Sequence, residues 1–305
     1  MEKIKEICKI TSKNVSLSEY TTLGIGGRAK YLACPHEESE LVGLLSYLDE
    51  SNIKYCVLGQ GSNILVSDKG YDGVVVLTRG IKNISVKDDK VHATCGVTLP
   101  ALSRMMLEYS LSGVECLSGI PASIGGALIT NAGAYGGEIS SIVDSVRIYE
   151  NGKIITYKNR DLGFGYRTSL VERLGIVLSA NLRLKYENSS IIKAKIEEFA
   201  KKRSQTQPKN KSAGCVFKAY NGLSSGYCID KAGLKGKRIG GAEVSSLHAG
   251  FVINRGGATS SDFVKLLLEI QEEVEKKFGF LLSTEIRFVG EYDEDIRRLS
   301  HPYGI

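Results

Sequence analysis

The chain has 305 residues, 42% apolar and 24% charged, a composition that suits a globular protein with more than one core. Its net charge of +6 is spread along the chain, which favours anionic small molecules and is too diffuse for a nucleic-acid footprint. The cysteines (Cys8, Cys34, Cys56, Cys95, Cys116, Cys215, Cys228) show no CxxC or Cys/His spacing, so reduced thiols are expected and no metal site, and no apolar run suits a signal peptide or a membrane span.

In chain order, Leu41, Leu44, Leu45 and Leu48 recur at helical spacing. KYCVL (54–58) and GVVVL (73–77) read as strands, and NISVK and KVHATC flank Asp88 and Asp89 as a hairpin. Leu99, Leu102 and Met106 follow Thr98, a candidate N-cap with Pro100 in the first turn. Ser145–Glu150 and Lys153–Tyr157 flank Asn151-Gly152, a pair that tolerates the two positive φ values of a type I′ hairpin turn. Alternation from Ile176 to Leu184 predicts a half-buried strand. The texture then changes: a helix with Ile192, Ile196, Phe199 and Ala200 on one face, a polar loop QTQPKNKSAG, and strands around GFVIN (250–254) and EIRFV (285–289). Between those strands a long helix carries Phe263, Leu266, Leu267, Ile270 and Val274, with Gly279 as its stop.

Two glycine-dense segments carry the chemistry. In VLGQGSNIL a strand ending at Leu58 leads into Gly59-Gln60-Gly61-Ser62-Asn63, where backbone N–H groups can converge on an anion such as a pyrophosphate. On these residues alone, a tight turn between strands is an equal reading. A third glycine and a following helix are missing, so this is no Rossmann fingerprint, and GxxxxGK[ST] occurs nowhere. The second segment, LSGIPASIGGALITNAGAYGGEI (117–139), suits close approach of backbone to a large flat ligand, with a collapsed Gly/Ala core strand as the alternative.

Together with TTLGIGGRA (21–29), GYRTS (165–169), SAGCVFK (212–218) and TEIRFVG (284–290), those segments resemble, in order, the UDP-N-acetylenolpyruvoylglucosamine reductase family. The resemblance implies an α+β fold: a two-part FAD-binding domain of the vanillyl-alcohol-oxidase/PCMH type over residues 1–190 and a smaller α+β substrate-binding domain over 191–305. It implies non-covalent FAD on Leu58, Gly59, Gln60, Gly61, Ser62, Asn63, Pro121, Ala122, Ser123, Gly126, Gly133, Ala134, Tyr135, Gly136, Val177 and Arg287. NADPH would reduce the FAD, which would pass hydride to the enolpyruvyl ether of a UDP-amino sugar, yielding UDP-N-acetylmuramate for peptidoglycan synthesis.

Hydride addition to an enolpyruvyl group leaves an enediolate-like carboxylate that must be stabilised and then protonated at carbon. By the resemblance, Arg167 grips that carboxylate with a planar, permanently charged fork and Glu285 shares the duty. Cys215 stands where serine is usual as the proton donor, and a thiol, with an ordinary pKa near ~8.5, is the stronger acid. Tyr166, Arg203 and Lys218 are expected to hold the UDP-sugar, although Ala219-Tyr220 departs from the polar residue and proline that usually follow. The stretch from Arg167 to Cys215 has no room for an inserted substrate-covering loop, which marks the short type. Without the resemblance, the charged residues read as ion pairs and Cys215 as a small buried hydrophobe. The same fold would also accommodate a flavin oxidase for another substrate, or a non-catalytic nucleotide-sugar sensor. The expected protein is cytoplasmic, a monomer or weak oligomer, with no nucleic-acid or membrane partner.

Overall fold

Two spacings, 3.6 and 2 residues, account for most elements of the computed structural model, which describes residues 2–293 and 296–299. By contact density the chain forms two compact units: Met1–Ser12, Tyr31–Gln60 and Gly73–Arg203 in the first, and Lys13–Lys30, Gly61–Asp72 and Ser204–Ile305 in the second.

In the first unit the helix Glu38–Glu50 buries all four of its predicted leucines completely. The helix Leu99–Glu108 begins as expected, with the Thr98 side chain accepting from Ala101 N–H at 3.3 Å. An antiparallel five-stranded sheet runs in the order Lys153–Lys158, Val143–Glu150, Ile176–Arg183, Lys90–Thr94, Ile84–Lys87. Its hairpins turn at Asn151-Gly152, with φ 48° and 78°, and after Lys87, where Asp88 has φ 55°. The strand Ile176–Arg183 departs from the half-buried expectation: it lies at the centre of the sheet, and Val177, Leu178, Ser179 and Ala180 are all buried. Covered on both faces, it has no solvent side for alternation to report.

The glycine-rich stretch also departs from both sequence readings of its backbone, because Ile124–Thr130 is a helix followed by a minimal hairpin of Gly133–Ala134 and Gly137–Glu138. Gly125 and Gly126 are poor helix formers. Tertiary contacts offset that: Ile124 and Gly125 donate to the carbonyls of Val97 and Cys95 at 2.8 and 2.9 Å, and a Cβ on Gly125 would lie 3.4 Å from Cys95.

The second unit contains an antiparallel sheet ordered Lys211–Cys215, Phe251–Asn254, Ala242–Val244, Arg238–Ile239. Strand thus begins inside what the sequence presents as a polar loop, leaving only 207–210 outside helix and strand. Against this sheet the helix Ser260–Phe278 buries Phe263, Leu266, Leu267, Ile270 and Val274. A capping box of Thr259 and Asp262 opens it, and Gly279 in the left-handed region closes it. The sequence divides the chain at 190/191, whereas the contacts divide it at Arg203/Ser204 and bring in two early segments. The causes are long-range bonds: Thr22 Oγ1 donates to Ser212 O at 2.7 Å, Asn254 Nδ2 donates to Leu23 O at 3.0 Å, and Ile64–Val66 pairs in parallel with Arg287–Val289.

Removing the cap with Thr259→Ala should lower unfolding free energy by about 1 kcal/mol. Urea titration would show a lower midpoint at an unchanged slope.

Candidate active site

In the first unit, the strand Tyr55–Leu58 delivers Gly59 beside Ser123. A Cβ on Gly59 would lie 2.4 Å from the Ser123 Oγ, so any larger residue would have to push that hydroxyl aside. Ser123 is the N-cap of the Ile124–Thr130 helix but does not cap it with its side chain. Its Oγ is buried and makes no hydrogen bond, which leaves a donor for a ligand oxygen. Leu58 and Val177 are buried, Ala122 is half-buried and Pro121 is exposed.

Asn131, in the left-handed region at the end of the same helix, organises the loops beyond it. Its Nδ2 donates to Glu138 Oε2 at 2.8 Å and to Gly165 O at 3.0 Å, while its Oδ1 accepts from Ser140 N–H at 3.2 Å. One buried amide thereby ties together the Gly133–Glu138 hairpin and the turn that presents Tyr166 and Arg167. In that turn Gly165 and Thr168 exchange backbone bonds at 3.0 and 3.3 Å, and Arg167 takes φ 54°, an uncommon conformation for a long side chain. The Arg167 Nη2 donates to Gly133 O at 2.8 Å, which sets the plane of the guanidinium. Tyr135 and Gly136 form the hairpin turn, also at positive φ. Arg203 passes over Gly119, its Cδ 2.9 Å from where a Cβ would stand.

In the second unit, Gly61 has φ 65° and a Cβ there would lie 2.1 Å from the Tyr20 carbonyl oxygen. Ser62 is half-buried. Asn63 Nδ2 donates to Glu285 O, and Arg287 N–H to Asn63 O, both at 3.0 Å. Glu285 N–H in turn donates to Val216 O, and Lys218 N–H to Ser283 O, both at 2.9 Å. The structure therefore brings Asn63, Cys215, Lys218, Glu285 and Arg287 together by backbone bonding. Arg167, Tyr166 and Arg203 belong to the first unit. Burial pushes the Arg287 guanidinium below its ordinary range, yet so strong a base stays charged.

Three residues outside the sequence-level list emerge from these contacts. Asn131 carries a signal in hindsight, since asparagine is second to glycine at left-handed helix ends. Arg79, whose Nη2 donates to Gly59 O at 3.4 Å, offered none. The third is His248: a Cβ on Gly250 would lie 2.9 Å from its Cε1 and 3.4 Å from the Cys215 Sγ, so the two groups flank one glycine. Gly250 N–H donates to His248 Nδ1 at 3.1 Å, which places the neutral ring's proton on Nε2, and the ring packs edge-on against Phe251.

The orphaned Ser123 hydroxyl and the Cβ-free approach at Gly59 fit a pyrophosphate-linked cofactor. Gly59→Ala is expected to weaken flavin retention at least about tenfold with little change in melting temperature, while Gly61→Ala is expected to lower the melting temperature itself, because its clash is with backbone. Flavin titration and thermal melts separate the two.

Burial also lowers the His248 pKa. The unfolded chain then binds that proton first, so stability is full above pH ~6.5 and declines as pH falls below it. Urea unfolding between pH ~7.5 and ~5.5 should show a shallower decline for His248→Gln.

Known proteins match this arrangement along the chain. An FAD binding domain family matches residues 29–157, and the C-terminal domain family of UDP-N-acetylenolpyruvoylglucosamine reductase matches residues 207–289. The UDP-N-acetylenolpyruvoylglucosamine reductase of Caldanaerobacter subterraneus subsp. tengcongensis is 42% identical over 296 residues, spanning 95% of this chain and 98% of the relative. That of Lactobacillus johnsonii is 43% identical and spans 91% of this chain and 94% of its own. The crystal structure of UDP-N-acetylenolpyruvylglucosamine reductase from Thermus caldophilus has a TM-score of 0.79 at 37% identity, covering 90% of this chain and 98% of that one. Similar over nearly its whole length to these relatives, the chain belongs to the UDP-N-acetylenolpyruvoylglucosamine reductase family.

Proposed function

We infer that this protein reduces the enolpyruvyl ether of UDP-N-acetylglucosamine to UDP-N-acetylmuramate, using NADPH and bound FAD, in peptidoglycan precursor synthesis. The observation that carries this is the end-to-end likeness to reductases, 42% identity over 95% of the chain. That likeness favours a reductase over a same-fold oxidase or a sensor. In our reading residues 1–190 bind FAD and 191–305 bind substrate. The reactants are nucleotides, which suits a cytoplasmic enzyme, monomeric or weakly oligomeric, acting on neither nucleic acid nor membrane. Among the described residues no helix is long and apolar enough to cross a bilayer.

When bound, FAD supplies the hydride relay from NADPH to the terminal carbon of the enolpyruvyl group. The chain's own residues manage charge and protons. Ser123 would donate to a cofactor oxygen, and Gly59 to Asn63 would bring their backbone up to the pyrophosphate. Pro121, Ala122, Gly126, Gly133 to Gly136, Val177, Leu58 and Arg287 would complete that site. Arg167 would grip the substrate carboxylate with a fork whose plane is already set by Gly133 O, and so stabilise the charge that develops there.

Cys215 would give its proton to the carbon that carries the extra density. It sits half-buried at the end of its strand, next to a register irregularity, where a side chain can be aimed off the sheet. Glu285, held to the same segment through Val216 O, would share the carboxylate's surroundings, either protonated or paired. Lys218 and Arg203 would meet the diphosphate, and Tyr166, 54% exposed, would stack on the nucleotide-sugar.

Stopped-flow spectroscopy tests the roles by half-reaction. Cys215→Ala should be reduced by NADPH at nearly the parent rate and then slowed at least ~10²-fold in reoxidation by the enolpyruvyl sugar. Cys215→Ser should keep much of the activity. Equal losses in both half-reactions would reject the thiol as proton donor.

A further inference from the structure

The five-stranded sheet of the first unit has a polar face whose two ends differ. Across it Lys158, Ser145, Asn181, His92 and Ser85 stand opposite one another in turn, one from each strand. At one end of the face Arg147, two residues on from Ser145, pairs at 2.9 Å with Glu38, the first residue of the helix Glu38–Glu50. Ser179, directly opposite Arg147, is fully buried there. At the other end the face opens into a recess of about 500 Å³, within the size range of small-ligand sites. Asn181, His92 and Ser85 line it from the first row, and Arg183, Lys90 and Lys87 from the next. Its floor is ordered by side-chain bonds. Ser145 is 2% exposed and its Oγ accepts from Asn181 Nδ2 at 3.0 Å, while Asn181 Oδ1 accepts from His92 Nδ1–H at 3.0 Å.

The second row is electrostatically costly. Arg183 stands directly opposite Lys90, and Lys90 directly opposite Lys87, so cations face one another across adjacent strands. Like charges in that position destabilise a sheet. Lysine on an edge strand guards against pairing with other chains, which accounts for Lys87 and Lys158 on the two outermost strands, but not for Lys90 and Arg183 inside the sheet. Asp89 meets Arg183 at 3.3 Å and Asp144 meets Lys158 at 3.5 Å. Lys87 and Lys90 have no carboxylate at ion-pair distance among the described residues. Asp88, the other acid of the hairpin turn, does not line the recess.

We propose that this recess is a second anion site, which takes a small ligand carrying a diphosphate or longer phosphate chain. The planar fork of Arg183 suits two phosphate oxygens, Lys90 and Lys87 supply point charges beside it, and the floor of Asn181 and His92 supplies oriented polar groups. Neighbouring strands lie about 4.8 Å apart, so the row of cations spans about 10 Å at the backbone. A linear anion of two or more phosphates neutralises such a row better than one compact ion. By joining strands through their side chains, the ligand stabilises only the folded sheet. None of these residues is among those assigned to flavin or to the UDP-sugar above, so the site stands independently of the reaction.

Inorganic pyrophosphate is the probe, measured by equilibrium dialysis against the FAD-loaded protein at about 150 mM salt, where attraction to exposed charge is screened beyond about 8 Å. The parent should bind one equivalent saturably. Lys90→Glu should weaken that binding at least about tenfold, the scale of one lost charge-assisted contact, and Asn181→Ala should weaken it about threefold or more by removing the floor. Lys153→Glu makes the same change in net charge on the same sheet but outside the recess, and should leave binding within about twofold of the parent. Equal losses in Lys90→Glu and Lys153→Glu, or binding that never saturates, would overturn the site and leave only general attraction of anions to a basic chain. Binding that survives Lys90→Glu but is lost in Lys218→Ala would also overturn it, by placing the anion where the substrate diphosphate is expected. Should Lys90→Glu fail to fold, Lys87→Gln on the edge strand asks the same question: a loss of about threefold or more is expected, and an unchanged affinity would reject the site.

Discussion

Three residue pairs of parallel strand, Ile64–Val66 against Arg287–Val289, hold the second unit's candidate residues in register. A two-stranded pairing this short is marginal alone. It persists because Leu65, Val66 and Val289 are buried and because Asn63 extends the ladder, its side chain accepted by Glu285 O and its carbonyl accepting from Arg287 N–H. A slip of one residue would turn every side chain to the opposite face, displacing Asn63, Glu285 and Arg287 together. Glu285 then passes the alignment on through its bond to Val216 O, next to Cys215.

The first unit solves the same problem with a side chain. Asn131 is 1% exposed and has its amide engaged on both nitrogen and oxygen, joining a helix end, a hairpin and a turn that are otherwise loops. Loops positioned by a fully satisfied buried polar group are rigid enough to present Arg167 reproducibly. Four of the positive-φ residues, Asn131, Tyr135, Gly136 and Arg167, lie within reach of this network. In Tyr135 and Arg167 that strain falls on bulky side chains, which suggests that where the side chain points matters more than local comfort.

The contrast between the two long polar-to-apolar helices is instructive. Ser260–Phe278 has a continuous buried stripe and caps at both ends, and it anchors a core. Ser189–Thr206 carries apolar residues at similar spacing but buries only Ile192. Spacing shows that a face exists; the neighbours decide whether it is covered.

Local chemistry was legible in the residues. The leucine helix, the Thr98 cap, the Asn151-Gly152 turn and the Gly279 stop follow from bonds and φ preferences spanning a few positions, and the glycines of 58–63 announced a backbone that something approaches. The ordered motifs also made the family readable. What they could not convey were the helix inside the glycine-rich stretch, the burial of Ile176–Arg183 on both faces, the attachment of 13–30 and 61–72 to the last hundred residues, and the placement of His248 beside Cys215. Each of these depends on a partner tens to hundreds of residues away. Propensity and periodicity act within a turn or two of chain, so only the folded packing could decide them.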